Sequence, residues 1–191
     1  MSNYPRGSEW RKWDLQVQTR LDAGYGCFGV SSLTKDQLDI LKAATDLTEV
    51  EITSQEKTIP PEKYSKLFVS YITNFTDVSV VGITDHNSGK ELDSLLQEAG
   101  QTDGKLVILP GVEVSSTQGI HILCLFDPQK KWKATWAESI AHLLTELGIS
   151  GTGFNPQNQP LSSTKNAQEI LELVEQKGGV CIFAHIGTEN G

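Results

Sequence analysis

The chain reads as an α/β protein: a parallel sheet with covering helices. Three observations predict this. Short runs rich in Val, Ile and Leu alternate with stretches of helical periodicity. Gly, Pro and Asn punctuate the junctions between them. Two of the runs end abruptly in polar residues of metal-binding type. Val78, Val80, Val81 and Ile83 lead into Thr84-Asp85-His86, and Leu106 to Leu109 lead into a turn, Pro110-Gly111-Val112, that carries Glu113. Runs of this kind are typical of strands buried on both faces, and in α/β barrels chemistry sits at their C-terminal ends. Spacing alone fits a barrel or an open sheet.

The elements follow in order. Residues 13–17 form a first strand, followed by a Gly-rich turn at 23–29. Gly24, Gly26 and Gly29 match no phosphate-binding fingerprint. Thr34-x-x-Gln37 is a capping box opening a helix with Leu38, Leu41 and Ala44 on one face. Residues 49–53 are expected to form a short strand. Pro60-Pro61 starts a helix with Tyr64, Leu67, Phe68, Tyr71 and Ile72 at helical spacing. A strand at 78–84 is followed by a helix bearing Leu92, Leu95, Leu96 and Ala99, stopped by Gly100. Residues 105–109 and 120–126 are strands, the second carrying His121. Thr135-x-x-Glu138 caps a helix with Trp136, Ile140, Leu143, Leu144 and Leu147, closed by Gly148. A loop rich in Gly, Asn, Pro and Gln spans 150–163. A helix at 166–177 buries Ile170, Leu171 and Val174. A last strand, 180–183, is expected to be buried beneath that helix and leads to His185.

Composition bounds the function. At 191 residues the chain has the length of one domain with a substantial core. A net charge of −8 argues against broad electrostatic binding of nucleic acid. A nucleic-acid substrate remains compatible with it, because bound divalent cations offset charge locally. Cys27, Cys124 and Cys181 are too few and too scattered for a disulfide framework. No signal peptide or membrane-spanning run is apparent, so a cytoplasmic location without membrane attachment is expected.

Three histidines at strands and one glutamate are hard to explain as core packing. His86, Glu113, His121 and His185 form the imidazole–carboxylate mixture that suits Zn, Mn or Fe. His142 lies mid-helix and reads as an ordinary surface histidine. Asp22 could supply a further carboxylate from the loop after the first strand. Trp10, Trp13, Trp132 and Trp136 could stack on bases, although no basic groove accompanies them.

These motifs resemble the PHP family (polymerase and histidinol phosphatase) of metal-dependent phosphoesterases. The family's first motif, H-x-H, falls on Gln16-Val17-Gln18. Its second falls on Thr84-Asp85-His86 and its third on Pro110 to Glu113. A later ligand histidine falls on His121, and an A-H-P-like element on Ala184-His185-Ile186-Gly187. The opening, residues 6–15, looks like the PHP module of TrlF-type proteins, fused to AAA- or SMC-like ATPases and associated with nucleic-acid processing and phage defence. The resemblance implies a distorted (β/α)7 barrel, of which residues 1–191 are an incomplete PHP-like domain, truncated on the C-terminal side before the final strands and the D-x-H motif. It implies hydrolysis of a phosphoester, a nucleic acid or nucleotide included, with a divalent metal (Mn, Zn or Mg), at partial occupancy in this chain. His86, Glu113, His121 and His185 would be the metal ligands, with Glu113 shared between metals. Asp85, His86 and Glu113 would be the catalytic set, Asp85 orienting His86. A C-terminal ATPase domain and self-association are the partners it suggests.

Gln16 and Gln18 depart from the family. They alternate around Val17, so both side chains leave the same face of the strand. Each offers a neutral amide oxygen where the family has imidazole, a poor Zn ligand but an acceptable one for Mn, Mg or Ca. Three explanations stand: an active natural variant with altered metal preference, a degenerate domain kept for structure or recognition, or an inactivating double substitution. A non-catalytic module that binds nucleic acid, nucleotide or partner is the alternative function.

Overall fold

A computed structural model describes residues 11–22, 33–55 and 57–185. The expected turn at 23–29, with Cys27, and the opening segment through Trp10 lie outside the described residues. So do Ile186 and Gly187.

Among the described residues, six helices accompany one five-stranded sheet. In chain order the elements are β1 (Lys12–Val17), α1 (Lys35–Thr45), α2 (Glu49–Ser54), α3 (Pro61–Phe75), β2 (Val78–Ile83), α4 (Leu92–Ala99), β3 (Val107–Ser115), β4 (His121–Leu125), α5 (Trp136–Glu146), α6 (Ala167–Gln176) and β5 (Val180–Phe183). The strands lie side by side in sequence order. β1–β2 and β2–β3 are parallel, whereas β3–β4 and β4–β5 are antiparallel.

This corrects the expected (β/α)7 barrel and the all-parallel sheet. The described residues form a curled half-barrel with β1 and β5 at its edges. The cause is local. No helix separates β3 from β4; a tight turn does, with Ser116 N donating to Ile120 O at 2.9 Å and Gly119 at φ +77°. Such a turn can only join antiparallel strands, because a parallel return needs a crossover of a dozen or more residues.

Two glycines permit the curl. A Cβ on Gly111 would lie 2.6 Å from Cys124 O and 2.8 Å from Leu125 Cδ2. One on Gly82 would lie 2.9 Å from both Leu15 O and Leu125 Cδ2. Any side chain there would push neighbouring strands apart. The other face of the sheet carries the main core. Val81, Ile83, Val112, Val114, Ile122 and Cys124 are fully buried with Tyr64, Leu67 and Phe68 of α3, Leu95 of α4, Ile140 and Leu143 of α5, and Ile170 and Val174 of α6.

Capping fixes where the helices begin. The boxes at Thr34/Gln37 and Thr135/Glu138 are formed, and two more close at Thr48/Glu51 and Asn166/Glu169. The box at Thr48 explains why residues 49–53, expected as a strand, are helix α2. Satisfying the first free N–H groups of a helix is worth about 1 kcal/mol. Asp93 of α4 adds to the start of α5, its carboxylate accepting from Trp136 N at 2.9 Å and Ala137 N at 3.0 Å.

β3 runs through Pro110 and Gly111 to Ser115, so Glu113 sits inside a strand rather than in the expected turn. β5 also differs from expectation. Its Val180, Ile182 and Phe183 are 63%, 37% and 40% exposed. An edge strand has a neighbour on one side only, and α6 covers Cys181 better than the residues flanking it. Among the described residues, no helix is long and apolar enough to cross a membrane.

The contrast between centre and edge is measurable by urea denaturation. Ile122→Ala should cost about 2–5 kcal/mol, the range for a fully buried isoleucine. Ile182→Ala, on the exposed edge, should cost less than about 1 kcal/mol. Equal losses would mean that β5 is covered in solution.

Candidate metal centre

The site forms where the C-terminal ends of β1 and β2 meet the later part of β3. Beyond β2 the ladder continues: Thr84 N donates to Val17 O, Glu113 N to Asp85 O and Asn87 N to Glu113 O. This bridge sets His86 beside Glu113. On the antiparallel side His121 pairs with Ser115, two residues along from Glu113 and therefore on the same face. Three strand-derived positions thus deliver His86, Glu113 and His121 to one point, with ligand atoms all within 4.8 Å of one another.

Glu113 is the hub and is fully buried. Its Oε1 lies 2.7 Å from His121 Nδ1 and 3.4 Å from His86 Nε2. Its Oε2 accepts from Gln16 Nε2 at 3.2 Å. Burial pushes this carboxyl up, but the hydrogen bonds from His86 and His121 outweigh it and hold the group at about 2. His86 mirrors it. Burial pushes the imidazolium down, but contacts with Asp22 and Glu113 raise it to about 10.

Asp22 fixes the ring of His86. Its Oδ2 accepts from His86 N at 2.6 Å and lies 3.0 Å from His86 Nδ1. With the Nδ1 hydrogen given to Asp22, Nε2 turns its remaining valence toward Glu113. A nitrogen lone pair opposite a carboxylate oxygen is repulsive unless a cation stands between them. The cation can be a proton or a metal ion. The donor set therefore fits a divalent metal: one anionic oxygen and two imidazoles, one of them oriented by a second carboxylate.

The remaining expected residues take distinct places. Gln16 and Gln18 both face the cluster, Gln16 Nε2 at 2.9 Å from His185 Nε2 and Gln18 Nε2 at 3.1 Å from His86 Nδ1. His185 is exposed at the mouth, its ring centroid 5.9 Å from that of His121. The carboxylate of Asp85 turns to Thr19, accepting from its backbone N and from Oγ1. Burial lifts Asp85 to about 7, against those bonds. So the carboxylate touching Nδ1 of His86 is Asp22, not Asp85, and Asp85 locks the backbone after β1. His142 stands apart on α5, paired with Glu146 at 3.0 Å. Trp132 and Trp136 pack with Phe126, centroids 4.9 and 6.0 Å from it, and so serve the core. Trp13 is exposed.

The buried pair that holds this loop carries no signal in the sequence. Arg20 Nε and Nη2 each lie 3.0 Å from Glu91 Oε1, and both side chains are 2% exposed. The guanidinium carbon sits 4.3 Å above the Tyr64 ring. No local pattern marks Arg20 for burial; only the Thr19-to-Asp22 turn, with Asp22 N donating to Thr19 O, carries it inward. Beside the site, Asn87 Nδ2 clasps the 150–163 loop through Gly153 O and Leu161 O. That loop and α5 enclose a cavity of about 430 Å³ with Asn87 and Lys90 at its wall. The cavity therefore borders the cluster rather than containing it.

Neither a scan of protein-family models nor a search of curated proteins finds a match to this chain.

Removing one member of the buried pair should be severe. Arg20→Ala should cost about 3–5 kcal/mol by denaturant titration, because Glu91 is left charged and dry. Arg20→Met with Glu91→Leu should cost clearly less. A double variant as unstable as the single one would show that the pair's own hydrogen bonds, and not the stranded charge, set the loss.

Proposed function

We propose that the chain is a PHP-type phosphoesterase domain whose divalent-metal site is built on Glu113. The observation that carries this reading is the convergence of His86, Glu113 and His121 from separate strand positions. His86, Glu113 and His121 would hold the ion, which could be Mn, Zn or Mg. A divalent ion bound there supplies Lewis-acid polarisation of a phosphoryl oxygen and acidifies water. The chain's own groups supply the rest. Glu113 provides the fixed negative charge. Asp22 keeps the proton of His86 on Nδ1, leaving Nε2 free to bind. His185, at the exposed mouth, is placed to meet substrate or exchange a proton with solvent. The substrate class is a phosphodiester or phosphomonoester, including nucleic acid or nucleotide. A cytoplasmic setting and linkage to an ATPase domain belong to the same reading.

One observation favours the alternative, a catalytically inactive module that binds nucleic acid, nucleotide or a partner. Gln16 donates to Glu113 Oε2, so an amide N–H occupies the oxygen that a second metal would need. The enzyme needs metal at this site, whereas the binding module can do without it.

Elemental analysis of the purified chain, alongside a Gln16→His/Gln18→His variant, tests this directly. The chain as it stands should hold no more than one Mn or Zn, and His121→Ala should lower that content. The double-histidine variant should bind more metal and raise Mn-dependent hydrolysis of a generic phosphodiester by about 10²-fold. Full metal loading without hydrolysis of any phosphoester would select the binding module. No metal in either protein would overturn the phosphoesterase reading and favour the binding module.

A further inference from the structure

Cys124 of β4 and Cys181 of β5 stand directly opposite each other in the antiparallel ladder. Directly opposed residues in such a ladder have Cα atoms about 4.5 or 5.5 Å apart, and both spacings fall within the range a disulfide spans. Both side chains leave the sheet on its core face. Cys124 is buried and Cys181 half-buried on the edge strand. One thiol is therefore within reach of a small oxidant, and the other waits behind it.

We propose that Cys124 and Cys181 form an oxidation site, a thiol pair that peroxide closes into a cross-strand disulfide stapling β5 onto β4. The Cys181 thiolate attacks a peroxide oxygen and the O–O bond breaks, leaving a sulfenic acid and a hydroxide, which takes up the proton the Cys181 thiol released and becomes one water. The Cys124 sulfur then displaces the sulfenic hydroxyl, the S–S bond forms and a second water leaves with the Cys124 proton. Two thiols are oxidised and one peroxide is reduced. The order follows from exposure. It also agrees with the hydrogen bond between the thiols, which holds Cys181 below the usual thiol range and lifts Cys124 well above it.

The staple would act on the site. β5 leads within two residues to His185, and Ala184 N already donates to His121 O at 3.0 Å. A covalent link at the Cys124–Cys181 rung would hold the segment carrying His185 against the strand carrying His121. It would also tie down the strand with the most exposed apolar residues in the sheet.

The test is mild hydrogen peroxide treatment of the folded chain, followed by intact-mass analysis, proteolytic mapping and thermal melting. The expected product has lost two hydrogens, yields a Cys124–Cys181 linked peptide and melts roughly 5–15 °C higher, reversibly with dithiothreitol. Cys181→Ser should abolish the linked peptide, and Cys27→Ser should leave it intact. Overoxidation of Cys181 with Cys124 still free, or a link made through Cys27, would overturn the proposal.

Discussion

A buried carboxylate that must be met by positive charge organises this molecule. Glu113 is wholly inaccessible, and desolvating an anion is costly unless hydrogen bonds and cations answer it. His86, His121 and Gln16 all turn toward it. Their placement requires β2 to extend past its last residue through Asp85 to Asn87, and β4 to begin at His121. It also requires Asp22 to be buried, which in turn needs the turn from Thr19 and the Arg20–Glu91 pair beneath it. Remove the charge at Glu113 and much of this arrangement loses its reason.

Curvature serves the same end. Gly82 and Gly111 let neighbouring strands approach on the inner face, and the sheet bends around the point where Glu113 sits. The helices pack on the opposite face and leave the mouth open to solvent. Acidic surface charge does not argue against the candidate site, since a bound cation would bring its own compensation.

How far the sequence reveals this varies by residue for physical reasons. The residue types at the strand ends are local information, so His86, Glu113 and His121 stand out, and the facing of Gln16 with Gln18 follows from strand periodicity. Which carboxylate meets His86 is not local. Asp85 is its neighbour in sequence, yet the Thr19 turn captures Asp85 and brings Asp22 to the ring. The half-barrel is not legible: the alternation fits a parallel barrel or open sheet alike, only the family resemblance implies a closed barrel, and because Pro110 and Gly111 read as a turn after a strand at 105–109, the tight 116–120 turn that forces β4 antiparallel is hidden. At residues 49–53 the β-branched Val50, Ile52 and Thr53 suggest a strand, and the Thr48–Glu51 capping box decides for helix. The apolar composition of β5 is the same for a central or an edge strand, so its exposure could only come from the sheet.

The most direct test of the central claim is a nitrogen-15 NMR titration of the four histidine side chains with Zn. If Glu113 anchors the metal centre, His86 Nε2 and His121 Nδ1 should shift together at stoichiometric Zn, His86 Nδ1 should keep its hydrogen on Asp22, and His142 should stay unchanged. Zn-induced shifts confined to His142 or His185, or none at all, would contradict it.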